Sequence, residues 1–163
     1  MAELTQLEEK LGEVIGLAQA AQDATTKVAG LPEADERLKQ LLDQMSQEAA
    51  ETQQRGEQIA GDMEGKKTAL QEKARETKSE ATEMMKTYLG DDSDALDGLE
   101  FLIMAEAGEL GHVEIVNKLN ETAGDAQIGE LAEWALEVQT RHFQRTREAA
   151  LTLAAQEDPN ETE

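Results

Sequence analysis

Residues 95–120 read Ala95-Leu-Asp-Gly-Leu99-Glu-Phe-Leu-Ile103-Met-Ala-Glu106-Ala-Gly-Glu109-Leu-Gly-His112-Val-Glu-Ile-Val-Asn-Lys-Leu-Asn120. Leu99, Leu102, Ile103, Leu110 and Val113 recur at spacings of three and four, which predicts an amphipathic helix over Leu96–Leu119. Glu106 stands at the centre of that apolar stripe. A carboxylate facing a helical core is costly unless it is paired, hydrogen-bonded or bound to a metal. The stretch therefore predicts a helix and, on its buried face, a group that needs a partner.

The following segment repeats the pattern. Over Ile128–Leu153 the stripe is Ile128, Leu131, Ala135, Val138, Ala149 and Leu153. His142 lies at its centre, with Gln139 one turn before and Thr146 one turn after. Glu106 and His142 are expected to face each other across two adjacent helices, within hydrogen-bonding or metal-bridging reach.

Working back toward the N-terminus, Leu4, Leu7, Leu11, Val14, Ile15, Ala18, Ala21 and Val28 predict a first helix over Leu4–Val28. Gly30 ends it and Pro32 is expected to start the next. The second helix starts near Glu33 and carries Leu38, Leu41, Leu42, Met45, Ala49, Ile59 and Met63 on one face. Continued to Leu89, its ~56 residues would form a rod of about 80 Å, too long for a compact bundle. Gly56, Gly61 and Gly65 predict a break near Gly61–Lys67. Residues 90–94 are a turn and N-cap cluster, and Asp125 is the candidate N-cap in the turn at 122–125. The expectation is one all-α domain over residues 1–156, an up-and-down four-helix bundle with a long, broken second helix. An acidic tail follows at 157–163.

Composition bounds the function. With 36 acidic and 15 basic residues the net charge is -21, and aromatic residues make up 2%. That argues against nucleic acid or an anionic membrane as partner, since both need a basic face and bases need stacking platforms. There is no cysteine, which excludes disulfides, thiolate nucleophiles and Cys-ligated zinc. No apolar run approaches the ~18 residues of a membrane span, and the N-terminus shows no signal-peptide pattern. A cytoplasmic setting is expected.

Glu109 and His112 form an E-x-x-H, and residues three apart share one side of a helix, where they can bind one ion. Gln139 and His142 repeat the spacing with an amide for the acid. In dimetal bundles two helices supply such pairs and two others supply single Glu residues. Glu48 is the best inward acid on the second helix; Glu8 and Glu51 are weaker candidates. At ~100° per residue, Glu109 lies about 80° and His112 about 140° from the stripe centre, so the two cannot both sit as deep as Glu106. The metal candidates are thus Glu106, His142, Glu109, Glu48 and His112; mixed carboxylate and imidazole ligation suits iron, manganese or zinc, and iron or manganese is the expectation. The alternative is structural: Glu106 accepts from His142 or pairs with Arg55.

These residues also carry a resemblance. Glu8-Glu9-Lys10-Leu11, Glu48-Ala-Ala-Glu51-Thr52 with Arg55, Met63-Glu64-Gly65, Ala95-Leu96-Asp97 and His112-Val-Glu114-Ile115 are together similar to a ferritin-like group of bacterial stress-associated proteins, mostly uncharacterised. That group shows Glu-His-x-Glu-Ile where this chain has Gly111 before His112, and paired acids where this chain has Gln139-Thr-Arg-His142. The resemblance implies a ferritin-like bundle that handles metal or oxidative stress. The competing expectation is a metal-free helical protein acting by association. A homodimer is expected in either case, because Met63, Leu70, Ala74, Ala81 and Met84 offer apolar surface beyond what a four-helix core needs. Folding of that segment back onto its own bundle would cover the same surface.

Overall fold

The computed structural model describes residues 2–162. They form five helices: α1 (Gln6–Ala29), α2 (Glu36–Asp62), α3 (Lys67–Tyr88), α4 (Ala95–Ala123) and α5 (Ala126–Ala154). The chain is all-α, but the expected broken second helix is two separate helices. The expected tail is exposed over 157–162, and Glu163 lies outside the described residues.

Local chemistry sets the boundaries. Thr5 and Glu8 close a capping box on α1, and Asp94 and Asp97 do the same on α4. Asp35 and Asp125 cap α2 and α5 by accepting from Leu38 N and Ile128 N. Contrary to the expectation from sequence, Pro32 does not open α2, which starts at Glu36; it lies in the connection, where its carbonyl accepts from Ala95 N. The reversal between α2 and α3 occupies residues 63–66, with Gly65 at φ 73°, a left-handed turn that glycine adopts without strain. Lys66 then pins the start of α3 to α1 by donating to the Glu3 carbonyl and to Glu8 Oε2.

Packing fixes the directions. α1 lies against α2, α3 and α4, and α5 lies against α2 and α4. Gln19 meets Glu57 and Gln22 meets Gln53, so α1 and α2 are antiparallel; Glu106 lies by His142 and Glu109 meets Gln139, so α4 and α5 are too. Along α1 and α3 the numbers rise together, Gly12 opposite Lys73 and Gly16 opposite Thr77, so this pair is parallel. The result is a square of α1, α2, α5 and α4 with antiparallel neighbours. α3 runs the length of the square along α1 and returns the chain so that α4 starts at the same end as α2. The simple up-and-down order expected from sequence is therefore replaced by one long crossover, and the crossover is itself a helix. Leu70 and Ala74 are buried in the α1–α3 contact, so part of the apolar surface assigned to a dimer covers α1 instead.

Two apolar clusters fill the square. One joins Leu11, Val14, Ile15, Ile59, Val113, Val116, Ile128 and Leu131. The other joins Val28, Leu38, Leu42, Met45, Leu99, Leu102 and Ala150. Between them, along α2, α4 and α5, the buried positions turn polar: Thr52, Glu106, Glu109, Gln139 and His142.

Candidate functional site

All five side chains of this polar layer are more than nine-tenths buried: Glu106 at 1%, His142 at 3%, Gln139 and Thr52 at 4% and Glu109 at 6% exposed. Those on α4 and α5 each sit on an otherwise apolar helix face, so their burial follows from the packing of α4 against α5. His142 is the hub. Its Nδ1 lies 3.5 Å from Glu106 Oε2, and its Nε2 lies 3.4 Å from Glu48 Oε1 on α2. The imidazole thus has a carboxylate at each ring nitrogen. Glu48 is partly buried, and its second oxygen accepts from the Arg141 guanidinium.

Glu109 is held separately. Its Oε2 accepts from the Gln139 amide at 2.5 Å. Burial pushes its carboxyl well above the usual carboxylate range; the neighbouring Glu106 charge pushes the same way, and the Gln139 amide opposes both. The shift favours the protonated acid. Glu106 Oε2 has no hydrogen-bond partner among the described residues. A buried carboxylate oxygen in that state costs on the order of 1–3 kcal/mol or more.

The E-x-x-H pair of α4 does not act as a unit. Glu109 turns inward to α5, whereas His112 faces α1, with Nε2 3.2 Å from Glu13 Oε2 and Nδ1 2.8 Å from the Gly108 carbonyl. The two residues are a part-turn apart on a helix with neighbours on both sides, so each finds a different one. The Arg55 alternative fails as well. Arg55 binds Glu51 Oε1 at 2.5 Å and stacks over Trp134, 4.2 Å from the ring centroid. Glu8 caps α1 and binds Lys66, so neither Glu8 nor Glu51 enters the layer.

Sequence reasoning missed Arg141 as the partner of Glu48 and Glu13 as the partner of His112. Arg141 adjoins His142, and that adjacency was the available signal; Glu13 offered none, being one of several acids on an exposed-looking face.

The layer therefore gathers Glu48, Glu106, Glu109 and His142 from three helices. Among the described residues no three His, Asp or Glu side chains converge on a metal-holding arrangement as they stand. Gln139 holds Glu109 and Arg141 holds Glu48 away from a common centre. No helix among the described residues is long and apolar enough to cross a membrane. A scan of protein-family models finds no match to this chain, and a search of curated proteins finds no similar sequence.

Proposed function

We propose that the chain is a ferritin-like protein that takes up iron or manganese in the polar layer and serves in metal or oxidative-stress handling. The observation that carries the reading is the unpartnered Oε2 of Glu106, buried beside Glu109, His142 and Glu48 at mid-height of the bundle. A cation is the partner that an uncompensated buried carboxylate lacks. The architecture supports it: ferritin-like folds join two antiparallel helix pairs by one long crossover, the place α3 takes here.

The donor set fits iron or manganese in kind, three carboxylates and one imidazole. Glu106 and His142 would hold the ion, with Glu48 and Glu109 joining once released from Arg141 and Gln139. Bound there, the metal would supply redox or Lewis-acid chemistry. The protein's own part is to keep the site dry between two apolar clusters, to orient His142 from both sides, and to store a proton on Glu109.

Thermal melts with and without Fe²⁺ or Mn²⁺ test the reading. A ligand at one hundred times its dissociation constant stabilises by about 2.7 kcal/mol, which for a domain of this size raises Tm by roughly 5–10 °C. The double variant Glu106→Leu, His142→Leu should lose that shift. A wild type whose Tm no metal moves refutes the proposal.

A second reading has an observation of its own: Met84, Tyr88 and Met104 are 55%, 54% and 43% exposed, an apolar rim on α3 and α4. A metal-free protein acting through association would use such a face, and a homodimer is its simplest form. Light scattering over a range of micromolar concentrations tests it; a concentration-independent mass of one chain refutes it.

A further inference from the structure

A cavity of about 230 Å³ opens between α1, α3 and α4. Its wall is apolar and includes Leu17, Ala21, Ala81, Met85, Phe101 and Leu102, with Glu106, Glu109 and His112 along one side. The alanines of α1 and α3 leave the space open, and α3 closes it from outside. An apolar cavity of 150 Å³ holds benzene, so this one has room for about ten non-hydrogen atoms.

The polar side decides which ligand. Glu106 is 1% exposed and its Oε2 has no hydrogen-bond partner. No lysine or arginine lines the cavity, and His112 is engaged by Glu13. A carboxylate or phosphate ligand would meet two buried carboxyl groups with no lysine or arginine on the wall to receive it. A neutral alcohol would satisfy the oxygen but leave the charge. An ammonium group satisfies both, and the net charge of -21 raises the local concentration of cations around the chain. We propose that this cavity is a binding site for a compact hydrophobic amine, whose apolar body fills the space between α1, α3 and α4 and whose ammonium group donates to the Glu106 carboxylate. The site stands on the cavity and on Glu106, whether or not the polar layer also takes up metal.

The test is isothermal titration of the full chain, in chelator, with three probes that share one aromatic body: phenethylamine, phenethyl alcohol and phenylacetate. The expected result is that phenethylamine at neutral pH binds at least tenfold tighter than phenethyl alcohol, and that phenylacetate does not bind. Glu106→Gln should bring the amine down to the level of the alcohol. Ala81→Phe, which fills the cavity from α3 and leaves every carboxyl group in place, should abolish binding of both. Equal affinity for amine and alcohol would mean an unselective apolar void and overturn the proposal. So would amine binding that survives Ala81→Phe, which would place the amine on the acidic surface, or the absence of binding by any probe. Should Glu106→Gln fail to fold, the probe series and Ala81→Phe still decide.

Discussion

Replacing Gly16 with alanine tests whether α3 is seated on α1, on which the crossover topology and the outer wall of the cavity both depend. Gly16 is buried in mid-α1, and a Cβ there would run into the Ala74 carbonyl oxygen and lie 2.8 Å from Thr77 Cβ, both on α3. Two opposed effects are at work. In a helix interior Gly→Ala gains about 1 kcal/mol of backbone propensity. Forcing an extra carbon into a packed contact costs about 1–3 kcal/mol, and here the obstacle is backbone, which yields less than a flexible side chain. The net expectation from these two figures is a loss of up to about 2 kcal/mol, toward the upper end because the obstacle is backbone. Gly111 on α4 is the control. Nothing lies within 4 Å of a Cβ there, so Gly111→Ala should stabilise by up to about 1 kcal/mol. Urea denaturation reads both variants, and unchanged m-values confirm that stability and not compactness has moved. The two substitutions are chemically identical, so a difference in sign comes from α3. A Gly16→Ala protein as stable as Gly111→Ala would refute the seating of α3 on α1.

Glu109 sets a pH dependence. A carboxyl raised on folding binds more protons in the folded than in the unfolded chain, so its contribution to stability falls as pH rises from the ordinary value of 4.5 through the raised one; Glu109→Gln should flatten that fall in melts taken across the acidic range, and an unchanged slope refutes the assignment. In chelator, Glu106→Leu with His142→Leu should leave the fold as stable as wild type or more so, because a well-packed apolar pair often replaces a buried ion pair without loss; a loss of several kcal/mol by urea titration would mean that the pair holds the fold together. Raising ionic strength should raise Tm, because screening relieves the self-repulsion of a chain at -21; a Tm that falls or stays level with added sodium chloride contradicts this. Amides at 61–67 should exchange hydrogen faster than those of 99–116, since the α2–α3 reversal has few internal hydrogen bonds; equal protection would show the reversal to be as firmly held as α4.

Helix positions were legible because apolar spacing and capping residues act locally. The stripes of α4 and α5, the cap cluster at 90–94 from which Asp94 caps α4, the cap Asp125, and the stop at Gly30 all follow from nearest neighbours in sequence. The inward positions of Glu106 and His142 were legible for the same reason, as each interrupts a stripe. The path of the chain after Gly65 was not. A left-handed turn reverses the chain, but which helix receives α3 is decided by the small residues Gly12 and Gly16, which let it approach α1 closely. That signal is a fit between two distant segments and has no periodicity of its own. The partners of the ionisable groups were hidden in the same way. Angles around α4 correctly separate His112 from Glu106, but they cannot say that Glu13 waits for His112 on one side and Gln139 for Glu109 on the other.

Gln139 is the residue on which the character of the layer turns. The layer sets Glu48, Glu106 and Glu109 against Arg141 and His142. Arg141 neutralises Glu48, and burial with the adjacent Glu106 charge drives Glu109 toward its protonated form. That leaves Glu106, whose Oε2 stands 3.5 Å from His142 Nδ1 without a hydrogen bond. An acid at position 139, one turn from His142, would add a further negative charge to a dry region with no further base, and only a bound cation could then offset it. The amide instead adds a donor without charge and spends it on Glu109. A metal ion that recruits Glu109 must therefore displace the proton that burial favours there. Uptake by this route releases protons, so it should strengthen steeply as pH rises.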